Sequence, residues 1–142
     1  MPHQVSVFAE NRPGKIERIT GVLMRKNIDI RAITISDSGD YGIVKLLVDR
    51  PQEAVDALKE DGIAASLRDI VAIRVNDKPG GLHEVASILT KNDVNVEDAY
   101  GFIVERKKDA VFVFQVQDVR RTEKLLSEAG FTILSDGELY LL

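Results

Sequence analysis

Val5-Ser6-Val7-Phe8-Ala9-Glu10-Asn11-Arg12-Pro13-Gly14 and Val71-Ala72-Ile73-Arg74-Val75-Asn76-Asp77-Lys78-Pro79-Gly80 carry one pattern twice, at a spacing of 66 residues from Pro13 to Pro79. Val5, Val7 and Ala9 alternate with polar or opposite-face residues, as do Val71, Ile73 and Val75, which is the period of a strand. After each Pro-Gly the period changes. Ile16, Ile19, Val22 and Leu23 match Leu82, Val85, Ile88 and Leu89 at helical spacing. A unit of this length in only two copies is too long for a solenoid repeat and reads as a duplicated small domain. The boundary falls near Arg68-Asp69, giving domains 1–68 and 69–142 with no linker rich in Pro, Gly or Ser.

The remainder of each copy follows the same plan. Residues 28–36 are rich in Ile and Thr, Asp37-Ser38-Gly39-Asp40 is a turn cluster, and 42–49 form an answering strand. Pro51 opens a second helix, Gly62 suits a left-handed cap, and a short strand starts at Ile63. The second copy predicts strand 70–75, helix 81–91, strand 94–104, a hairpin at 105–109, strand 110–117, helix 119–129 and a strand from Phe131. The order is βαββαβ twice, an α+β chain of two ferredoxin-like modules in tandem. Val44, Leu46 and Val48 should face the helices, as should Phe112, Phe114 and Val116. Ile43, Leu47, Val111 and Val113 make the opposite face apolar too, so a cover is expected: the modules packed as a pseudo-dimer, or a second subunit. Leu139-Tyr140-Leu141-Leu142 reads as an extra edge strand.

Composition narrows the function. The 142 residues are 44% hydrophobic and 30% charged, ordinary for a globular chain. A net charge of −4 argues against nucleic acid, which needs clustered Lys and Arg. The basic run Arg106-Lys107-Lys108 reads as a solvated turn. No cysteine is present, and His3 and His83 are the only histidines, so no metal site, cofactor or catalytic residue is expected. Neither a signal-peptide run nor a membrane span is seen, and a cytoplasmic protein is expected. Tyr41 and Tyr100 could line a pocket or cap a core.

The loop between the first strand and first helix carries the chemistry. Gly14 and Gly80 lack a Cβ and let a group approach the backbone, and the first-turn N–H groups have no intrahelical acceptor. A carboxylate finds donors there. Asn11 or Asp77 offers an amide or carboxyl to an ammonium group, so the loop suits an α-amino acid. The same residues also make ordinary turns and caps.

Val7-Phe8-Ala9-Glu10-Asn11-Arg12-Pro13-Gly14 followed by Asn27-Ile28-Asp29-Ile30, and Asp77-Lys78-Pro79-Gly80 followed by Asp93-Val94-Asn95-Val96, resemble the signature of ACT domains. The resemblance covers the whole chain and extends to the free-standing two-ACT regulatory proteins that bind amino acids. It implies a ligand at the loop and the start of the second strand, often across two modules. Carried over residue by residue, the ligand-binding set is Asn11, Arg12, Pro13, Gly14, Lys15, Ile16 and Asp29 in one copy. In the other it is Asp77, Lys78, Pro79, Gly80, Gly81, Leu82 and Asn95. In serine-sensing members two Asn hold the ligand from opposite modules; these match Asn11 and Asn95, with Asp77 and Asp29 as the second pair. Two carboxylates repel, so that second pair makes the poorer zwitterion pocket. Ala9 replaces a ring-bearing residue of some serine sensors, so the ligand need not be serine.

The resulting expectation is a non-enzymatic regulatory protein with an amino-acid ligand. Its partners would be a second copy of itself and a separately encoded metabolic enzyme, with no nucleic acid or membrane. Two other readings compete: a structural oligomerisation module that binds nothing, and an enzyme on a ferredoxin-like scaffold.

Overall fold

A computed structural model describes residues 2–142. The chain divides into two compact units, His3–Arg68 and Asp69–Leu142, the latter joined by Pro2. Ile70 donates its N–H to the Pro2 carbonyl at 3.1 Å.

Module 1 runs β1 (His3–Glu10), α1 (Lys15–Arg25), β2 (Ile30–Ser38), β3 (Tyr41–Val48), α2 (Pro51–Glu60) and β4 (Ala64–Asp69). Its sheet has the order β2-β3-β1-β4. Module 2 runs β5 (Val71–Asn76), α3 (Gly81–Lys91), β6 (Asp98–Glu105), β7 (Asp109–Gln115), α4 (Val119–Glu128), β8 (Thr132–Ile133) and α5 (Asp136–Tyr140). Its order, β6-β7-β5-β8, is the same with a shortened last strand. The fold is α+β, two ferredoxin-like βαββαβ modules.

Each module has its own core on the helix side of its sheet. In module 1, Val5, Val7, Val44, Leu46 and Val48 meet Ile19, Val22 and Leu23 of α1 and Ala54, Val55, Ala57 and Leu58 of α2. In module 2, Val71, Ile73, Val75 and Phe114 meet Val85, Leu89 and Leu126, with Phe112 stacked on Phe114 at 5.0 Å between ring centres. On the opposite faces Leu47, Val111 and Val113 are buried, while Ile43 stays 40% exposed.

The four long helices end alike. Asn27 at φ 55° and Asp93 at φ 56° take left-handed backbone, as do Gly62 and Gly130. In each case the next residue donates back into the helix: Ile28 to Leu23, Ile63 to Leu58, Val94 to Leu89 and Phe131 to Leu126, at 2.9–3.0 Å. This closure satisfies carbonyls the helix leaves open and folds an apolar residue onto the core. It also explains a shift from expectation. Ile28-Asp29 and residues 94–97 belong to helix closures and links, so β2 and β6 begin later, at Ile30 and Asp98.

The C-terminal residues depart from the sequence reading. Residues 136–140 form helix α5, not an edge strand. Ser135 caps it: its hydroxyl accepts from the Glu138 N–H at 3.3 Å and donates to the Glu138 carboxylate at 2.9 Å. That reciprocal cap fixes a helical turn before the apolar quartet can extend. Leu139 and Tyr140 are buried. Tyr140 lies near enough to Tyr100 of β6 to influence its ionisation; burial first, then Asp98, then Tyr140 push the Tyr100 hydroxyl far above its usual 10.0.

Candidate functional site

The loop Asn11–Gly14 leaves β1, turns, and enters α1. Pro13 lies in the turn before the helix instead of opening it; Gly14 is the N-cap, at φ 93°. Gly80 caps α3 in the same way at φ 88°. The glycines are therefore required by left-handed backbone, a constraint the sequence reading did not separate from ligand approach. A Cβ built on either would meet nothing within 4 Å, so the space before both helices is open.

Asn11 and Asp77 turn to the neighbouring hairpin of their own module. The Asn11 amide donates to the Asp37 carboxylate at 2.8 Å and the Gly39 carbonyl at 2.9 Å, and its N–H donates to the Asp40 carbonyl at 2.7 Å. Its side-chain oxygen accepts from Lys15 Nζ at 2.7 Å. Asp77 does the converse: its carboxylate accepts the Lys107 N–H at 2.5 Å, and its own N–H reaches the Lys108 carbonyl at 3.2 Å. The basic run 106–108 is thus a turn, with Lys107 in left-handed backbone, onto which the loop latches. Each loop is held by its hairpin through a side chain of opposite hydrogen-bonding sense.

Beside the module 1 loop lies a cavity of about 540 Å³. Arg12, Pro13, Gly14 and Lys15 line it, together with Phe8, Ala9, Glu10, Arg18, Ile19, Tyr41 and the Gly62–Ala64 turn. Phe8 and Tyr41 stack at 5.0 Å and are about half exposed. Arg12 pairs with Glu10 at 3.2 Å. Arg18 donates to the Asp61 carbonyl at 2.6 Å and lies 3.5 Å from its carboxylate. Of the expected residues, Asn11 supports the loop without lining the cavity, and Ile16 packs toward the core. Asp29 is exposed, paired with Arg31 at 3.4 Å, with its N–H on the Asp49 carboxylate at 3.0 Å. Phe8, Arg18 and the Gly62–Ala64 turn were missed. Arg12, Lys15 and Arg18 recur every three residues, a spacing that could have grouped them.

Module 2 has a cavity of about 420 Å³ on a different side of its loop. Asp77, Lys78 and Leu82 line it, with Tyr100 and Gly101 of β6 and Phe112 of β7 among its walls; Pro79, Gly80 and Gly81 do not. Gly81 is fixed by crowding, since a Cβ there would sit 2.4 Å from the Asn76 carbonyl oxygen. Asn95 is exposed and lines neither cavity. His83 is exposed in the first turn of α3, its Nε2 3.4 Å from the Ser87 hydroxyl. Among the described residues no three His, Cys, Asp or Glu side chains gather as a metal site, and no helix is long and apolar enough to cross a membrane.

Paired βαββαβ modules, each with a glycine-capped loop at the head of its first helix, define a tandem ferredoxin-like protein built around those loops. The family model for the ACT domain pair matches residues 1–142, and the chain belongs to that family. It is similar to the probable acetolactate synthase small subunit of Archaeoglobus fulgidus, 24% identical over 92% of this chain and 98% of that one. A crystal structure of a Bacteroides thetaiotaomicron protein matches with TM-score 0.92 and 30% identity, over 99% of this chain and 96% of that one. The regulatory subunit of aspartate kinase from Thermus thermophilus matches with TM-score 0.65 and 17% identity, over 90% and 92% of the chains, a likeness of fold.

Proposed function

We propose that this chain is a non-catalytic regulatory protein that binds an amino acid at its strand-to-helix loops, foremost that of module 1. The observation that carries the reading is the module 1 cavity, where Arg12, Gly14 and Lys15 of the loop meet Arg18 and the Phe8–Tyr41 pair. First-turn N–H groups and cationic side chains there suit a ligand carboxylate. Asn11 sets the loop through the hairpin, while Asn95 stays in the proposed set on the family resemblance alone. The reading leaves Asp77, Lys78, Pro79, Gly80, Gly81 and Leu82 as the weaker site.

The partner proposed is a separately encoded metabolic enzyme in the cytoplasm. Support comes from the relative named as a small subunit of acetolactate synthase. We also infer a homo-oligomer. Ile33 and Ile35 on β2, an edge strand of its sheet, are more than 40% exposed, and Ile103 on β6 is 59% exposed. Open edges carrying apolar residues favour strand addition. Sedimentation giving one 15.7 kDa species at micromolar concentration contradicts that association.

Binding is tested by a thermal-shift screen of the full chain against the twenty amino acids, since a ligand of the folded state raises stability by mass action. A subset should raise the melting temperature. Arg18→Gln, in the cavity wall, should then weaken that ligand by about 1–3 kcal/mol through a lost charged hydrogen bond. If no amino acid shifts the transition, the loops are turns and caps, and the structural-module reading replaces this one.

A further inference from the structure

We infer that the module 1 cavity selects an acidic ligand, an amino acid carrying a second carboxylate, and that the module 2 loop does not. The inference rests on the proposed binding role of the module 1 loop and adds the class of ligand. Three cations, Arg12, Lys15 and Arg18, line one cavity; Glu10 and Asp61 pair with two of them, which leaves one positive charge over. Each cation is positioned by a short contact that leaves donors over. Lys15 spends one of three ammonium donors on Asn11. Arg18 has five N–H donors and is anchored, among the described residues, by Asp61 alone. Arg12, exposed, pairs with Glu10 alone among the described residues. One α-carboxylate cannot use this surplus of donors and positive charge; a second carboxylate can. The stacked Phe8 and Tyr41 rings give the connecting methylene groups an apolar face.

The matched positions of module 2 make the contrast. At the 66-residue spacing, Arg12, Lys15 and Arg18 become Lys78, Gly81 and Glu84. Lys78 lies 3.8 Å from Glu84, so the one remaining cation is offset by a carboxylate. Asn11 becomes Asp77, adding a further negative charge. The module 2 loop ends on the same left-handed glycine without the cationic set.

Calorimetry on the full chain at low salt tests this with L-glutamate and L-aspartate against L-glutamine and L-asparagine, which match them in shape and lack the second charge. The acids should bind about tenfold or more tighter than the amides, as a charged hydrogen bond implies. The gap should narrow with added sodium chloride, since these side chains are exposed. Arg12→Gln, remote from the core, should lower affinity for the acid about tenfold and for the amide by less, so that the acid-to-amide ratio falls; Lys78→Gln should leave that ratio as it is. Amides binding as well as acids, or an acid preference that survives both Arg12→Gln and Arg18→Gln, would overturn the inference. If a neutral amino acid alone binds, the ligand class is wrong while the binding reading stands. If none of the twenty binds, both fall.

Discussion

The two strand-to-helix loops share a backbone and differ in what that backbone presents. Both end on a left-handed glycine, Gly14 or Gly80, and both are tied to the adjacent hairpin by the residue three positions earlier. In module 1 that residue is an amide donating to acceptors; in module 2 it is a carboxylate accepting a main-chain N–H. Module 1 then sets cations around an open cavity. Module 2 starts its helix with a glycine pressed against the Asn76 carbonyl and faces a cavity walled largely by β6 and β7. After duplication, the constraint on loop geometry and the constraint on side-chain chemistry have separated. The latch and the glycine preserve the first, and only module 1 retains a cationic version of the second.

The contrast can be attacked first at the helix starts. Gly81→Ala should cost about 2–3 kcal/mol, because the added Cβ meets a main-chain oxygen that cannot yield without moving the loop. Lys15→Ala, at the matched position, should cost less than about 1 kcal/mol, losing one exposed hydrogen bond to Asn11. Urea midpoints of the two variants give the comparison directly.

Exchanging the latches should have the next largest effect. Asn11→Asp removes two donated hydrogen bonds and faces a carboxylate toward Asp37, an expected loss of about 1–2 kcal/mol even with Lys15 nearby. Asp77→Asn keeps an oxygen able to accept from Lys107 and should lose only about 0.5 kcal/mol. Equal losses in denaturant titrations would mean that the sense of the latch is immaterial.

The smallest effect concerns the second helices. Val55 is buried in α2, whereas the matched residue of α4 is Glu123. Burial raises the Glu123 carboxyl above its ordinary 4.5, an effect partly countered by Arg120. The folded state therefore holds this proton more tightly than the unfolded chain does. That contribution is present below the unfolded value and is lost as pH rises through the folded one. Glu123→Gln should raise the melting temperature slightly at pH 7 and leave it unchanged near pH 4, measured by calorimetric scans.

Much of this was legible in the residues. Alternation placed the sheet cores, and Pro51 and Gly62 announced the start and end of a helix that the structure realises. Ile28 and Val94 were misread because an apolar β-branched residue after a helix looks like a strand start, while here it folds back onto the helix end. Leu139–Leu142 failed because its composition outweighed a local signal: the Ser135-Asp136-Gly137-Glu138 cap was present in the sequence. The cavity was half legible. Arg12, Gly14 and Lys15 follow from the loop, whereas Tyr41 and Ala64 arrive through β3 and β4, and only the folded sheet brings them beside it.

The central claim, that module 1 carries the principal ligand site, is tested most directly by calorimetric titration of Gly14→Asn and Gly80→Asn. The ligand is the amino acid that gives the largest thermal shift. Asn tolerates left-handed backbone, so the fold survives while a side chain enters the space before each helix. The account predicts that Gly14→Asn lowers affinity about tenfold or more and that Gly80→Asn leaves it near that of the unaltered chain. Equal losses in the two variants, or a loss confined to Gly80→Asn, would contradict it.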